Sequence, residues 1–183
     1  PKVRIHMLTD GRDVGERSAP GFIEQLEAKL TACSRDGRDY RIGSGGGRMY
    51  ITMDRYNADW EMVERGWKVH VLGEGRQFAS AMEAVRTYYD EDPKTTDQHL
   101  GEFVIVEDGK PIGTIEDGDA VINFNFRGDR ASEISMAFDY DELPQFDRVR
   151  RPDVLYAGIM QYDGDLQLPK NFLVEPPQIE GTI

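Results

Sequence analysis

The feature that most constrains the fold is the alternation of short strand-like runs with helix-like segments along most of the chain. Val3, Ile5 and Met7 alternate with other residues as in a strand, and residues 22–33 repeat their apolar side chains at helical spacing. Further strands are predicted at 40–42, 120–126 and 154–160, and further helices at 60–71, 78–89 and 131–138. This order predicts an α/β layered domain with a central mixed, partly parallel sheet flanked by helices.

A hairpin accounts for the mixed character of the predicted sheet. The apolar run 103–106, the pair Asp108-Gly109 and the run 111–115 have the pattern of two antiparallel strands joined by a tight turn. The glycine run 43–47 is interpreted as a flexible turn, and it is not a P-loop because no Gly-Lys-Ser/Thr follows it. We expect residues 1–165 to form the domain and residues 166–183, which contain three prolines, to form a linker or arm.

Charge and cysteine content exclude several classes of protein. The 183 residues carry 22 Lys and Arg against 34 Asp and Glu, a net charge of −12, which disfavours nucleic acid and anionic membranes as partners. No apolar run approaches the roughly 20 residues of a transmembrane helix. Cys33 is the only cysteine, which excludes an internal disulfide or a cysteine-based zinc cluster and favours a reducing compartment.

Three polar loops follow predicted strands: residues 10–13, 43–48 and 127–130. Ligands of α/β sheets bind outside the carboxyl ends of strands, so these loops are expected to converge on one site. Arg127 and Arg130 flank a helix start, where two guanidinium groups and free backbone N–H groups could hold a phosphate. The alternative is a surface ion pair of Arg130 with Glu133 or Asp129.

The remaining candidate residues allow both a structural and a chemical interpretation. Arg48 and Arg55 follow the glycine run, and each alone could be a solvated or structural arginine. Asp10, Arg12 and Asp13 form a carboxylate–guanidinium cluster. A carboxylate of this cluster could accept a proton from a hydroxyl group or orient a hydroxyl nucleophile. Asp residues in a glycine turn also commonly bond backbone amides. The three histidines lack ligand-like spacing, so no metal site is predicted on this chain.

Several motifs together are similar to those of one enzyme family over essentially the whole chain. They are Asp10-Gly11-Arg12-Asp13, Gly47-Arg48, Met53-Asp54-Arg55-Tyr56, Gly73-Glu74-Gly75, the stretch 115–130 and Gln161-Tyr162-Asp163. These motifs resemble the cofactor-independent phosphoglycerate mutases, and the stretch 115–130 is the most specific of them. The segment 48–60 looks more like the plant and trypanosomatid members than the bacterial ones.

The resemblance implies that residues 1–165 are the phosphotransferase domain of a cytoplasmic, glycolytic isomerase that interconverts 3-phosphoglycerate and 2-phosphoglycerate. It implies a phosphoserine and two manganese ions on a phosphatase-like domain of the same polypeptide, and no 2,3-bisphosphoglycerate. Asp13 matches the family's proton-handling residue. The substrate-holding arginines of the family match Arg12, Arg48, Arg55, Arg127 and Arg130.

The departures from the family indicate a fragment. The family's manganese ligands and serine have no counterpart here, its Asp-Gly-Gly-Val-His-Ser-His motif is expected before Pro1, and a pocket lysine is expected after Ile183. We therefore expect the chain to be inactive alone. Two alternatives remain: a non-catalytic binding module for phosphorylated small acids, and a metal-dependent hydrolase that uses Asp10 and Asp13.

Overall fold

The structure is a computed structural model that describes residues 1–175 of the chain. Its helices are α1 (Ala19–Cys33), α2 (Trp60–Trp67), α3 (Ala81–Glu91) and α4 (Ser132–Asp139). Its strands are β1 (Lys2–Thr9), β2 (Asp39–Gly47), β3 (Arg76–Phe78), β4 (Phe103–Glu107), β5 (Lys110–Pro111), β6 (Ala120–Asn123), β7 (Leu155–Met160) and β8 (Phe172–Val174). A π-helical turn, Lys68–Leu72, continues α2, and 3₁₀ turns occupy Asp97–His99 and Gly128–Arg130.

The first sheet is mixed, with strand order β1-β2-β4-β3 and β5 paired to β4. β1 is parallel to β2 and β3 is parallel to β4, whereas β4 is antiparallel to both β2 and β5. The hairpin turns at Asp108 and Gly109, which both have positive φ, as a two-residue turn between twisted strands requires. The predicted fold class, a mixed and partly parallel sheet with helices and a hairpin, is confirmed.

A second sheet of three parallel strands, in the order β6-β7-β8, was not separated from the first by the sequence pattern. β6 ends at Asn123 rather than at Phe126. β8 lies in the segment 166–183 that was interpreted as a linker or arm, so part of that segment belongs to a sheet. Residues 176–183 lie outside the described residues.

Two apolar clusters hold the helices on the sheets. In the first, α1 and α3 pack on the mixed sheet through Ile23, Val85 and Phe103, all fully enclosed. In the second, α2 and α4 pack beside the parallel sheet around Trp67 and Phe138, whose ring centroids are 4.9 Å apart. Burial of this much apolar surface is the main favourable contribution to folding.

The glycine run is a strand and not a flexible turn, which corrects the prediction. Residues 43–47 are all buried and form the carboxyl half of β2. A Cβ at Gly45 would lie 2.5 Å from Met7 Cγ, and one at Gly47 would lie 2.4 Å from the Gln98 oxygen. Glycine occupies these positions because neighbouring segments of the same chain approach too closely for any side chain to fit.

The start of α3 also differs from the prediction. The apolar spacing placed Phe78 in a helix, but Phe78 ends β3 and the helix begins at Ala81. Ser80 caps the helix by accepting a hydrogen bond from the Glu83 N–H at 3.1 Å, and the Glu83 carboxylate accepts the Ala79 N–H at 2.9 Å. This reciprocal capping fixes the helix start, which apolar spacing alone does not specify.

Candidate anion-binding site

The polar residues that follow β1, β2 and β6 lie together, as predicted, although residues 43–47 of the second predicted loop belong to β2 itself. Arg48, directly after β2, donates to the Asp10 carboxylate, with Nη1 and Oδ1 2.6 Å apart. Arg127, after β6, donates to the Asp13 carboxylate, with Nη2 and Oδ2 3.2 Å apart. These two contacts connect the loops after β1, β2 and β6 into one polar cluster.

Arg48 is the most deeply enclosed charge of the cluster, with 5% of its surface exposed. Besides Asp10 it has one other acidic neighbour, Asp13, at 3.9 Å. Its Nε and Nη2 atoms are buried and have no hydrogen-bond partner among the described residues. Because an unsatisfied buried donor costs about 1–3 kcal/mol, these atoms favour the binding of an acceptor.

Arg130 is enclosed in a similar way. It is 8% exposed and donates from Nη1 to the Met53 carbonyl at 2.7 Å, while its Nε has no partner among residues 1–175. Burial is the main cause that lowers the pKa of Arg130, followed by the charges of Arg48 and Arg55, with Arg127 adding to them and Asp129 opposing. Four guanidinium groups therefore concentrate positive charge at one place in an acidic protein.

The surface ion pair considered for Arg130 does not form. Asp129 instead pairs with Arg55, with Oδ2 and Nη1 3.4 Å apart, and the Arg55 guanidinium lies 4.7 Å from the centre of the Tyr56 ring. Glu133 accepts the Asn57 N–H at 3.0 Å, and its buried position raises its pKa. Arg55 and Arg127 are more exposed than Arg48 and Arg130 and form the outer part of the cluster.

The loop after β1 shows the backbone contact expected for an aspartate in a turn, but not the predicted cluster of Asp10 and Asp13 with Arg12. Asp10 accepts the Asp13 N–H at 2.9 Å, as an aspartate in a turn does, and it also pairs with Arg48. The Asp13 carboxylate lies between Arg48 and Arg127 and stays accessible to solvent. Arg12 is exposed, and the structure gives it no hydrogen bond or ion pair within residues 1–175.

Ser18 lies at the N-cap position of α1, but its side chain does not cap the helix. The Ser18 hydroxyl donates to the Gly15 carbonyl at 2.7 Å, and the N–H groups of Ser18 and Ala19 donate to Asp97 Oδ2, each at 2.9 Å. Asp97 also accepts the Thr9 hydroxyl on its carbonyl at 2.6 Å. Asp97 thus fixes both ends of the loop 10–18, a role that no local sequence pattern predicts.

Other groups near the site were not predicted from the sequence, because they are backbone atoms or isolated carboxylates. The Met53 carbonyl that holds Arg130 has no side-chain signature. Asp54 is buried and accepts the Asp59 N–H at 2.9 Å, which shapes the loop before α2. Its place inside the motif 53–56 was the only available hint.

Residues 1–175 contain no group of three or more His, Cys, Asp or Glu side chains placed to hold a metal ion. Within the same residues no helix combines the length and apolar character needed to cross a bilayer.

Buried arginines with unpaired donors, gathered where strands end, make this α/β domain a candidate for binding an anion. Residues 1–164 match the family described as "BPG-independent PGAM N-terminus". The chain therefore belongs to this family.

Individual relatives agree with this assignment. The chain is 60% identical, over its full length and 33% of the relative, to a probable 2,3-bisphosphoglycerate-independent phosphoglycerate mutase of Leptospira interrogans. It is 56% identical over 182 residues, 99% of the chain and 33% of the relative, to such a mutase of Trypanosoma brucei brucei. A crystal structure of Leishmania mexicana phosphoglycerate mutase at low cobalt concentration superposes with a TM-score of 0.96 at 54% identity, covering 98% of this chain and 33% of that one. The chain thus spans about a third of these proteins.

Proposed function

We propose that this chain is the substrate-holding phosphotransferase part of an isomerase that interconverts 3-phosphoglycerate and 2-phosphoglycerate. The observation that supports it most is the set of buried, unpartnered donors on Arg48 and Arg130. Both substrates carry a phosphate and a carboxylate, and planar guanidinium groups bind such oxygens through paired hydrogen bonds. The names of the relatives supply the reaction.

The proposed role of the arginines is to hold the glycerate while its phosphoryl group moves between neighbouring hydroxyls. Each charged hydrogen bond contributes about 1.5–3 kcal/mol, so a few of them hold a small acid in a defined orientation. Arg48 and Arg130 form the enclosed part of this grip, and Arg55 and Arg127 the outer part. Arg12, which is exposed on the same loop as Asp10 and Asp13, is proposed as a further donor.

Asp13 is the proposed proton-handling residue. Its carboxylate lies 3.2 Å from Arg127 Nη2 and remains open to solvent, so a substrate hydroxyl could reach it. A carboxylate in this position accepts the hydroxyl proton as the oxygen becomes a nucleophile. The nearby guanidinium groups keep that carboxylate oriented.

The phosphoserine and two manganese ions are assigned to a phosphatase-like domain of the same polypeptide. Among residues 1–175, no group of three or more His, Cys, Asp or Glu side chains is placed to hold such ions. The proposed location is the cytoplasm, and neither 2,3-bisphosphoglycerate nor nucleic acid is a proposed ligand. We expect no interconversion of the phosphoglycerates by this chain alone, and measurable turnover by the purified chain would contradict that division of labour.

An NMR titration with 3-phosphoglycerate tests the proposal. Arg127→Ala and Arg130→Ala should each weaken binding by about ten- to a hundred-fold, because each removes charged hydrogen bonds. Arg86→Ala is the matched control, since Arg86 is exposed on α3 and has no ion pair within the described residues. Shifts should be confined to the loops around residues 12, 48 and 127. Unchanged affinity in both site variants, with the fold intact, would overturn the assignment.

A further inference from the structure

A chain of hydrogen-bonded side chains runs inside the protein from β1 to the segment that holds Arg130. His6 Nδ1 lies 2.7 Å from Ser44 Oγ, and the same oxygen lies 2.9 Å from His70 Nδ1. The other ring nitrogen of His70, Nε2, lies 3.0 Å from Thr52 Oγ1. None of these four side chains belongs to the arginine cluster.

Thr52 has a backbone conformation that threonine rarely adopts. Its φ is +69°, and the Met53 N–H donates to the Ile51 carbonyl at 2.7 Å across it, which closes a γ-turn. A β-branched residue at positive φ is strained and persists only where its surroundings hold it. Gly66 makes room for it, because a Cβ there would lie 2.2 Å from Thr52 Oγ1.

Two bonds hold this turn, and one of them comes from His70. The Thr52 N–H donates to the Met62 carbonyl at 2.8 Å, which fixes the backbone, and the His70 ring fixes the side chain. The residue immediately after the turn is Met53, whose carbonyl accepts Arg130 Nη1 at 2.7 Å. The direction of that carbonyl therefore depends on the Thr52 turn.

We propose that His70 is a positioning residue for the anion site, because it holds the strained Thr52 turn that aims the Met53 carbonyl at Arg130. This inference rests on the proposed function only in naming the ligand class, an anionic phosphate. Ser44 and His6 fix the His70 ring from its other side. His70 itself touches no arginine and has no part in the chemistry.

Local irregularities of the fold support this role. The register of β1 against β2 shifts between Ile5 and His6, so that His6 faces Ser44 and Gly43 is skipped. His70 lies in the π-helical turn that continues α2. Bulges and π-turns both redirect side chains and occur frequently near functional sites. Here both irregularities lead to the same pair of imidazole rings.

Two substitutions of Thr52 separate positioning from packing. Thr52→Val keeps the branched side chain at positive φ but loses the hydroxyl, whereas Thr52→Gly loses the hydroxyl and also removes the strain. Positioning predicts that Thr52→Val weakens binding of inorganic phosphate by about ten-fold, and that Thr52→Gly stays within about two-fold of the original chain. Packing alone predicts the reverse order, because glycine leaves the larger cavity.

The same pair of variants gives a readout that needs no ligand. Hydrogen exchange of the Arg130 Nη1 protons, which donate to the Met53 carbonyl, should be faster in Thr52→Val and in His70→Phe when followed by NMR. It should return towards the original rate in the double variant His70→Phe/Thr52→Gly, because glycine makes the holding bond unnecessary. Ser34→Ala is the control, since it removes hydrogen bonds to Tyr40 at the opposite end of β2.

The outcomes distinguish this inference from the proposed function. Faster Arg130 exchange that glycine rescues supports the inference even if no variant binds phosphate, a result that would count only against the proposed function. Two results would overturn the inference whatever the phosphate affinity. One is an Arg130 exchange rate that is unchanged in Thr52→Val, and the other is a rate in His70→Phe/Thr52→Gly that does not return towards that of the original chain.

Discussion

The two imidazole rings of His6 and His70 lie 5.0 Å apart between β1, β2 and the π-helical turn. Burial lowers the pKa of His6 to about 4, with the charge of Arg4 adding to this effect and that of Asp119 opposing it. Burial also lowers the pKa of His70, and proximity to His6 adds to the shift. Both rings are therefore neutral in the folded chain at neutral pH.

We expect the free energy of unfolding to fall as the pH is lowered from 6.5, the ordinary pKa of histidine, to about 4. In that window the unfolded chain binds protons on these rings and the folded chain does not, so acid favours unfolding. The loss from His6 alone should be about 3 kcal/mol. Urea denaturation across this range measures it. His6→Asn should flatten the pH dependence and exposed His99→Asn should not; identical slopes in both would contradict the assignment.

The sequence singled out candidate site residues only where their side-chain chemistry was distinctive. Arg48, Arg127 and Arg130 stood out because arginines placed after strands favour anion binding. The sequence did not reveal that Arg48 and Arg130 are buried whereas Arg12 is exposed. The exposure of an arginine side chain depends on which segments of the chain cover its loop, and those segments come from distant parts of the sequence.

At the scale of elements, β2 shows how tertiary contact overrides local preference. Its residues 43–47 contain four glycines, which are disfavoured in strands, so the sequence predicted a turn. The structure uses them because Met7, Phe103 and the segment 98–100 approach the backbone from several sides. In contrast, β1 and α1 were predicted from the periodicity of their own side chains, and β7 from its apolar run. The strands β3 and β8 have three residues each and are too short to show a periodic pattern.

We expect Gly47→Ala to lower the free energy of unfolding by about 2–3 kcal/mol. The added Cβ would lie 2.4 Å from the Gln98 oxygen and 2.6 Å from the Leu100 nitrogen, and backbone atoms cannot rotate away as a side chain can. Gly164→Ala is the control, because a Cβ there meets nothing within 4 Å. Urea denaturation compares the two; equal stabilities would show that β2 can separate from residues 98–100 without cost.

At the scale of the whole molecule, the second sheet has one apolar face that no described residue covers. Phe124 and Phe126, which continue the line of β6, are 83% and 76% exposed, and Ile122, Leu155 and Leu173 are each more than half exposed. The opposite face packs on α4 through Tyr156. A contiguous apolar surface of this kind is unusual for a free-standing domain.

We expect the isolated chain to bind a hydrophobic dye and to associate with itself as its concentration rises. Added salt should strengthen association, because it screens the repulsion of a net charge of −12. Phe124→Ser/Phe126→Ser should reduce dye fluorescence and the sedimentation coefficient at high concentration, whereas Phe22→Ser, on exposed α1 surface, should change neither. Unaltered dye binding in the double variant would show that this face is not the surface that binds the dye or mediates self-association.

The overall architecture was predictable to the level of the mixed sheet and its flanking helices, but not to the division into two sheets. The sequence pattern identifies β6 and β7 as strands, but it does not specify with which strand each of them pairs. The partner is decided by long-range contacts, such as Tyr156 stacked on Phe138 with ring centroids 4.6 Å apart.

Asp10 and Asp13 occupy the arginines before any ligand arrives, at 2.6 Å from Arg48 and 3.2 Å from Arg127. The pair with Asp10 engages only Nη1 of Arg48, and the Nε and Nη2 atoms of Arg48 have no partner among residues 1–175. Under the proposed function, an incoming acid binds these remaining donors and shares the arginines with the two internal carboxylates. The protein's own acids then hold the arginines in place whether or not a ligand is bound, so binding requires little rearrangement of the site.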